Sequence, residues 1–462
     1  MHYQLHPLPA SLDLVALSQL NSARYPCLLA STASSVVNGR YDILAAFPQY
    51  EIRLDATFKL HSTADFEIDQ ASSFLHALDQ CWQRERVDEI DNSAPPFSGG
   101  WFVYLSYELA AEVEPRLKLP ALPHTIPVAI ARRCPLAVIY DRDENSCFAV
   151  VENKYTHLLD ALDADVECLA DFSPAATASI SMHDLMEDDE ASYLQQVARI
   201  KRYIVEGDIF QANLSRRWRL EIDAAVKDAD LFAQLSKSNP GCFAAMCQLG
   251  EVSVLSSSPE RLVSVRNGIA QTRPIAGTRP RSDNSALDNA LADELLKHPK
   301  EQAEHIMLID LERNDLGRIC VPGSIEVNEM MSLESYQHVH HIVSNVRGQL
   351  RREITPAEVI RAVFPGGTIT GCPKVRCMEI LAEMEQQPRA AYTGSLGYLN
   401  RDGSMDLNIL IRTMIRQGKD ITLRAGGGIV ADSDARAELA ETRAKAKGLL
   451  GAFDPVDAVC SV

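Results

Sequence analysis

Apolar and polar positions along the 462-residue chain fall into two textures that meet near residue 190. In the first, "RYDILAAFPQYEIRL" (40–54) and "CPLAVIYDRDENSCFAVVE" (134–152) are β-branched and aromatic runs that predict strands. The second run should form a hairpin turning at Asp141–Asn145. "GGWFVYLSYELAAEVEPRL" (99–117) predicts a glycine turn, an extended or helical start and a short helix. "DFSPAATASISMHDLMEDDE" (171–190) is small and polar, then acidic, which is linker composition. The expected organisation is an N-terminal segment over 1–170, a linker over 171–190 and a main region over 191–450.

The main region opens with an amphipathic helix ending near Gly207. A strand follows in which Gln211, Asn213 and Ser215 alternate against Phe210, Ala212 and Leu214, so the two sets face opposite ways. "HPKEQAEHIMLIDLERNDLGR" (298–318) predicts a helix with Pro299 in its first turn and an apolar stripe of Ile306, Met307 and Leu311. "LNILIRTMI" (407–415) predicts one apolar strand carrying a single cation, Arg412. It sits in a three-stranded meander over 391–428 with turns at Asn400–Gly403 and Gln417–Asp420. A strand with one buried face carries an inward arginine when it meets an anion. No internal repeat and no heptad array is present.

Composition narrows the function classes. The chain is 46% apolar, enough for a large core, and its net charge of −18 argues against nucleic acid as a partner. It has 11 cysteines, without Cys-x-x-Cys pairs, and no 18-residue apolar run or secretory leader pattern. These point to reduced thiols in a cytoplasmic protein with no membrane partner.

Candidate chemistry concentrates in acidic pairs and glycine runs. Glu301 and Glu304 lie three apart on one predicted helix, and Glu438 and Glu441 three apart on another, so each pair shares a face. One such pair alone is ordinarily solvated. Two pairs, one just after Gly426–Gly428, point to a shared hard cation, for which Mg²⁺ fits best. A di-iron site needs Glu-x-x-His on two helices, and here His305 directly follows Glu304. "FPGGTITGCPKVR" (364–376) has the glycine spacing of a phosphate loop but Cys372 where Lys is needed, which excludes that reading. Its glycines serve tight turns or, with the Thr368 hydroxyl, a carboxylate at the following helix. Gly426–Gly428 exceed what a hairpin end needs and favour close approach of a ligand. In "YQHVHHIVSNV", alternation sends His338 and His340 to one face and His341 to the other, without zinc spacing. These pieces suit a small dicarboxylate bound through Mg²⁺.

The motifs "SSSPERLV", "TRPIAGTRPR", "EQAEHIMLIDLERNDLGR", "VHHIVSNV", "FPGGTITGCPKVR", "YTGSLGY", "IRT" and "AGGGIVADS…ET" together make 191–450 resemble the chorismate-utilising enzymes, the family of anthranilate, aminodeoxychorismate, isochorismate and salicylate synthases. Residues 1–170 are similar to that family's first segment. The resemblance implies an α+β fold of the anthranilate-synthase type, one intertwined unit with two large, mostly antiparallel sheets faced by helices. It implies chorismate as substrate and Mg²⁺ as cofactor. Glu304 and Glu441 become the metal ligands, with Glu301 and Glu438 as supporting acids. Thr368, Tyr392, Arg412, Gly426, Gly427, Gly428 and Lys445 become substrate-binding. Glu260 becomes the acid that protonates the departing 4-hydroxyl and His341 the ring orienter, with Gln211, Ala276 and Thr278 completing the catalytic set.

Within the family, hydrolytic members carry a water-activating Lys where Gln211 stands. Glutamine is no base at neutral pH, so an aminating enzyme is implied. "RYDILAAFP", "QANL", "ITGCPK" and a "LLAS" lacking the glutamate of the anthranilate feedback motif resemble the aminodeoxychorismate type, component I, of folate biosynthesis. Ala276 departs from the lysine that many of that type carry there, which leaves the anthranilate type, of tryptophan biosynthesis, as the alternative. A non-catalytic chorismate-binding or regulatory subunit is the alternative of another class. No glutaminase nucleophile elbow surrounds Cys242 or Cys372, so a glutamine amidotransferase partner is expected to supply ammonia. Leu28–Ser31 and Asn239–Phe243 resemble the region where family members bind tryptophan, and binding by this chain stays open.

Overall fold

The computed structural model describes residues 2–33, 39–69, 73–88, 93–170, 179–282, 284–335 and 339–454. His338 and the first part of the expected linker, 171–178, lie outside these residues. Among them the strands form a twelve-stranded and an eleven-stranded sheet built from antiparallel pairs. This is the two-sheet α+β architecture that the resemblance implied. The 134–152 hairpin is present as strands Leu136–Asp141 and Ser146–Glu152.

Alternation along the strands builds the two largest cores among the described residues. Cys27, Ile43, Ala45, Ile139, Cys247 and Val254 of the larger sheet pack against Ile52, Trp101, Val103, Val263 and Leu407 of the smaller one. Their strand neighbours Leu28, Leu44, Val138, Leu255 and Met414 face the other way. There the helices Leu14–Leu20, Asp228–Ser238 and Ala435–Leu450 cover them.

The two sheets share the chain at several crossings. Tyr41–Ala46 belongs to the larger sheet and Tyr50–Leu54 to the smaller. Ser253–Ser258 passes to Arg261–Arg266 through Pro259 and Glu260. Met405–Asn408 passes to Thr413–Gln417 through residues 409–412. The expected single strand over 407–415 is therefore interrupted, and the three-stranded meander is four strands in two sheets. Both predicted turns, at 400–403 and 417–420, are correct. Arg412 lies at the second crossing with φ of 51° instead of in a strand, because the chain must turn a corner there to change sheets.

The second part of the expected linker is ordered: Met182–Glu187 pairs with strand Gln211–Ile222 as an edge of the larger sheet. The helix Pro299–Gly317 is present, but its buried residues are His305, Leu308, Ile309, Glu312, Asp315 and Leu316. The expected stripe was displaced: Ile306 is 46% exposed. Two carboxylates took inward positions that a hydropathy pattern assigns to solvent. The ten cysteines among the described residues are unbridged, and no described helix is long and apolar enough to cross a membrane.

Candidate active site

The two crossings that carry Glu260 and Arg412 are bonded to each other. The Ile409 N–H donates to the Glu260 carbonyl at 3.0 Å, and the Ser257 N–H donates to the Arg412 carbonyl at 3.0 Å. The Ser258 hydroxyl straps the same seam by donating to the Ile409 carbonyl at 2.5 Å. Two residues far apart in sequence are thus fixed side by side by backbone, and the seam sets their geometry.

Glu260 is buried, and the Thr368 hydroxyl donates to its Oε1 at 2.8 Å. Burial pushes its carboxyl up to about 7, against the opposing pull of that hydroxyl and of the Arg412 and Lys445 charges. A carboxyl in this range is half protonated near neutral pH and suits a general acid. His341 sits in strand Val339–Gln349 opposite Thr278. Its Nδ1 lies 3.2 Å from the Gly277 carbonyl and 3.0 Å from the Thr278 hydroxyl. A carbonyl only accepts, so the neutral ring carries its hydrogen on Nδ1 and keeps a lone pair on Nε2. Burial, reinforced by Arg412, holds this imidazole down to about 4. His340 faces away, with Nε2 3.0 Å from Asp288 Oδ1, as the alternation required. Ala276 pairs with Ile342 in the same ladder and brings no functional group.

Gly426, Gly427 and Gly428 pair with Ser215, Leu214 and Asn213 of strand Gln211–Ile222. On the other edge, strand Thr413–Gln417 pairs only as far as Leu423. From Arg424 onward, amides on that edge have no strand partner among the described residues. A Cβ on Gly426 would stand 2.5 Å from the Leu214 carbonyl and 2.8 Å from the Tyr392 hydroxyl. One on Gly428 would meet Gln211 Nε2 at 2.2 Å. One on Gly427 points the other way, 3.2 Å from Glu438 Oε2 and 3.5 Å from Glu441 Oε1. The run is therefore a waist between Tyr392, Asn213 and Gln211 on one side and the acidic helix Ala435–Leu450 on the other. Only glycine leaves both sides open. Gln211 Oε1 and Asn213 Oδ1 are buried without a hydrogen-bond partner, which is costly in a finished core and ordinary in a site awaiting a polar ligand.

The four predicted carboxylates converge from two helices. Glu304 is pushed upward by burial, with further upward pressure from the charges of Glu301, Glu438 and Glu441. Glu438 is likewise raised by burial, opposed by the Ser433 hydroxyl that donates to Oε1 at 2.6 Å. Among the described residues no three such groups form a closed ligand cluster. Cations stand beside three of them: Lys445 lies 2.7 Å from Glu441, Lys300 3.7 Å from Glu304 and Arg279 3.3 Å from Glu301. Lys445 also donates to the Gly426 carbonyl at 2.9 Å. Hard oxygen donors under mutual repulsion are the donor set that Mg²⁺ takes, so the residues fit that ion.

Behind the glycine strand lies a network that sequence reasoning missed. Glu385 Oε1 accepts from the Ser215 N–H at 2.9 Å and from Arg389 at 2.7 Å, while Oε2 accepts from Arg424 at 3.1 Å. The Arg389 guanidinium lies 5.7 Å from the centre of the Tyr392 ring. Burial is outweighed by these two arginines, and Glu385 stays below its ordinary value. Its signal in sequence was Glu-x-x-x-Arg at helical spacing, which is indistinguishable from a surface pair.

A two-sheet fold with a buried acid, a glycine-lined waist and converging carboxylates is the setting in which the comparisons with known proteins fall. The chain belongs to the chorismate binding enzyme family, whose model matches residues 38–451. It is 40% identical over 390 residues to an anthranilate synthase component I-like protein of Synechocystis, covering 83% of this chain and 78% of that protein. It is 36% identical to the aminodeoxychorismate synthase component 1 of Bacillus subtilis, covering 81% of each. The crystal structure of anthranilate synthase component I from Streptococcus pneumoniae matches with a TM-score of 0.77 at 31% identity, over 90% of this chain and 93% of that one. The protein is a chorismate-utilising enzyme of the anthranilate and aminodeoxychorismate synthase component I group.

Proposed function

We propose that the protein is an aminodeoxychorismate synthase component I. It would convert chorismate to 4-amino-4-deoxychorismate with ammonia from a glutamine amidotransferase subunit, on the route to folate. The observation that carries an elimination on chorismate is Glu260, buried at the seam between the sheets with the Thr368 hydroxyl on its Oε1 and its carboxyl pushed up to about 7. Hydroxide is a poor leaving group, and a proton from Glu260 lets the 4-hydroxyl depart as water. Thr368 orients the Glu260 carboxyl. Arg412, Tyr392, Lys445 and the glycine run Gly426, Gly427 and Gly428, with the Gly426 and Gly428 amides on the open edge, hold the substrate carboxylates, and the neutral His341 lone pair orients the ring. Glu304 and Glu441, backed by Glu301 and Glu438, would hold Mg²⁺, which supplies positive charge to the ring carboxylate when bound. Gln211 cannot deprotonate water, which supports ammonia as the incoming nucleophile.

Ala276 favours a second reading, an anthranilate synthase component I. It has no nucleophile, so under the first reading ammonia adds to the ring directly, or a residue elsewhere substitutes. Strand Cys27–Ala30 lies beside Phe243–Gln248, which keeps tryptophan binding near Leu28–Ser31 as part of the proposal. Incubation with chorismate, Mg²⁺ and an ammonium salt, followed by a lyase, separates the readings. 4-Aminobenzoate supports the first, fluorescent anthranilate the second, and no turnover a subunit that only binds. A lysine–substrate mass adduct would refute direct addition.

A further inference from the structure

Glu312 has no part in the reaction above, yet it is buried on the inner face of helix Pro299–Gly317. Its Oε1 lies 3.7 Å from where a Cβ on Gly367 would stand. It therefore backs the turn whose next residue, Thr368, holds Glu260. The Glu260 charge acts on Glu312, and the Thr272 hydroxyl stands beside it. One helical turn on, Asp315 is buried and lies 2.5 Å from Lys374 Nζ. Asp315 and Lys374 line a cavity of about 330 Å³ that opens beside Arg318 and Arg376. Arg318 also acts on Asp315, and the charges of Arg412 and Lys445 act on Glu260. Three carboxyls thus run inward from the cavity to the site, with one ammonium among them.

Buried carboxyls whose charges act on one another are not all ionised at neutral pH, and the protons they keep belong to the group as a whole. We propose that Glu312 is a positioning residue that shares a proton with Glu260 across the Gly367–Thr368 turn and keeps the acid loaded from the side opposite the substrate. This rests on Glu260 being the acid of the proposed reaction. In each turnover Glu260 gives one proton to the departing hydroxyl, which leaves as water. One proton returns to the Glu260 carboxylate from Glu312, and a solvent hydronium ion entering by Asp315 restores Glu312. No other bond changes in this exchange. Burial and the Asp315 charge push Glu312 well above the carboxylate range, in keeping with a group that carries a proton at neutral pH.

The test is a proton count that needs no turnover. Potentiometric titration of folded wild type, Glu260→Gln, Glu312→Gln and the double variant gives the release curves, with the double variant as baseline. Sharing predicts that the last proton of the pair leaves wild type about one pH unit or more above the proton of either single variant, a tenfold difference in affinity. A wild-type curve equal to the sum of the two single-variant curves overturns the proposal. In turnover, the ratio of Glu312→Gln to wild type cancels the ionisation of ammonium. It should fall about tenfold from pH 6 to 9, with Glu312→Asp restoring the profile. A ratio independent of pH overturns the proposal as well. If wild type forms no amine from chorismate, the functional reading fails, while the titration still decides the sharing.

Discussion

Replacing Glu260 by Gln should stabilise the protein at alkaline pH while abolishing turnover. The carboxyl stands at about 7 in the folded chain against an ordinary 4.5, so the folded state holds its proton more tightly than the unfolded state does. The sign follows from linkage. Stability is intact below 4.5, is lost as pH rises from 4.5 towards 7, and stays lost above that. The rise corresponds to about 3 kcal/mol. Gln is isosteric, and its carbonyl oxygen still accepts from Thr368, so below pH 4.5 the two proteins should match. At pH 8 the variant should be the more stable by about 2–3 kcal/mol. Urea unfolding followed by tryptophan fluorescence at pH 4.5 and pH 8 measures both differences. Product formation from chorismate measures the loss, expected at about 10²-fold or more. A stability gain equal at the two pH values would refute the burial argument, and retained turnover would refute the role as acid.

Gly426→Ala must part backbone at the Leu214 carbonyl and should cost about 1–3 kcal/mol, seen in the unfolding midpoint. Gly428→Ala meets only the end of the Gln211 side chain, so it should keep the midpoint and lose turnover. Glu441→Gln should weaken Mg²⁺ binding at least about tenfold by calorimetry, and an unchanged affinity would remove Glu441 from the ligand set. His341, held down at about 4, should give no limb near 6.5 in the pH profile of turnover. Its imidazole nitrogen resonances should show a neutral ring above pH 5, with stability falling only as pH drops from 6.5 towards 4.

The sequence carried the elements whose side chains obey one period. The 134–152 hairpin, the helix from Pro299 and the alternation of His340 against His341 were legible because each is local. Arg412 was misplaced because "LNILIRTMI" has the composition of one strand, and only the packing of two sheets shows that the chain turns between them at 409–412. Glu312 and Asp315 were missed for a related reason. A carboxylate on a helix is ordinarily solvated, and nothing local reveals that Lys374, 59 residues on from Asp315, will neutralise the buried group. The edge strand Met182–Glu187 lay inside a stretch of linker composition because an edge needs little apolar surface.

The departures from local rules gather at one place. Glu260 and Arg412 occupy the crossings where neither sheet can supply regular pairing. The glycine run lies where one sheet has lost a neighbour. A regular interior would satisfy those groups with backbone or exclude them. Here the seam leaves a buried acid, two orphan amide oxygens and a row of open amides facing one another. Such an arrangement costs stability without a ligand, which is why the Glu260→Gln variant should be stronger and inactive. The same reasoning separates Glu385 from Glu260. Glu385 is as deeply buried, but two arginines and the Ser215 amide satisfy it, and its value stays low. Glu385→Ala would leave Arg389 and Arg424 buried and unpaired, at a cost of about 3–5 kcal/mol. Removing the satisfied carboxylate should therefore weaken the fold, and removing the unsatisfied one should strengthen it. Opposite signs in the same unfolding assay at pH 8 would establish which buried acid belongs to the scaffold and which to the reaction. Equal signs would mean that burial alone does not distinguish them.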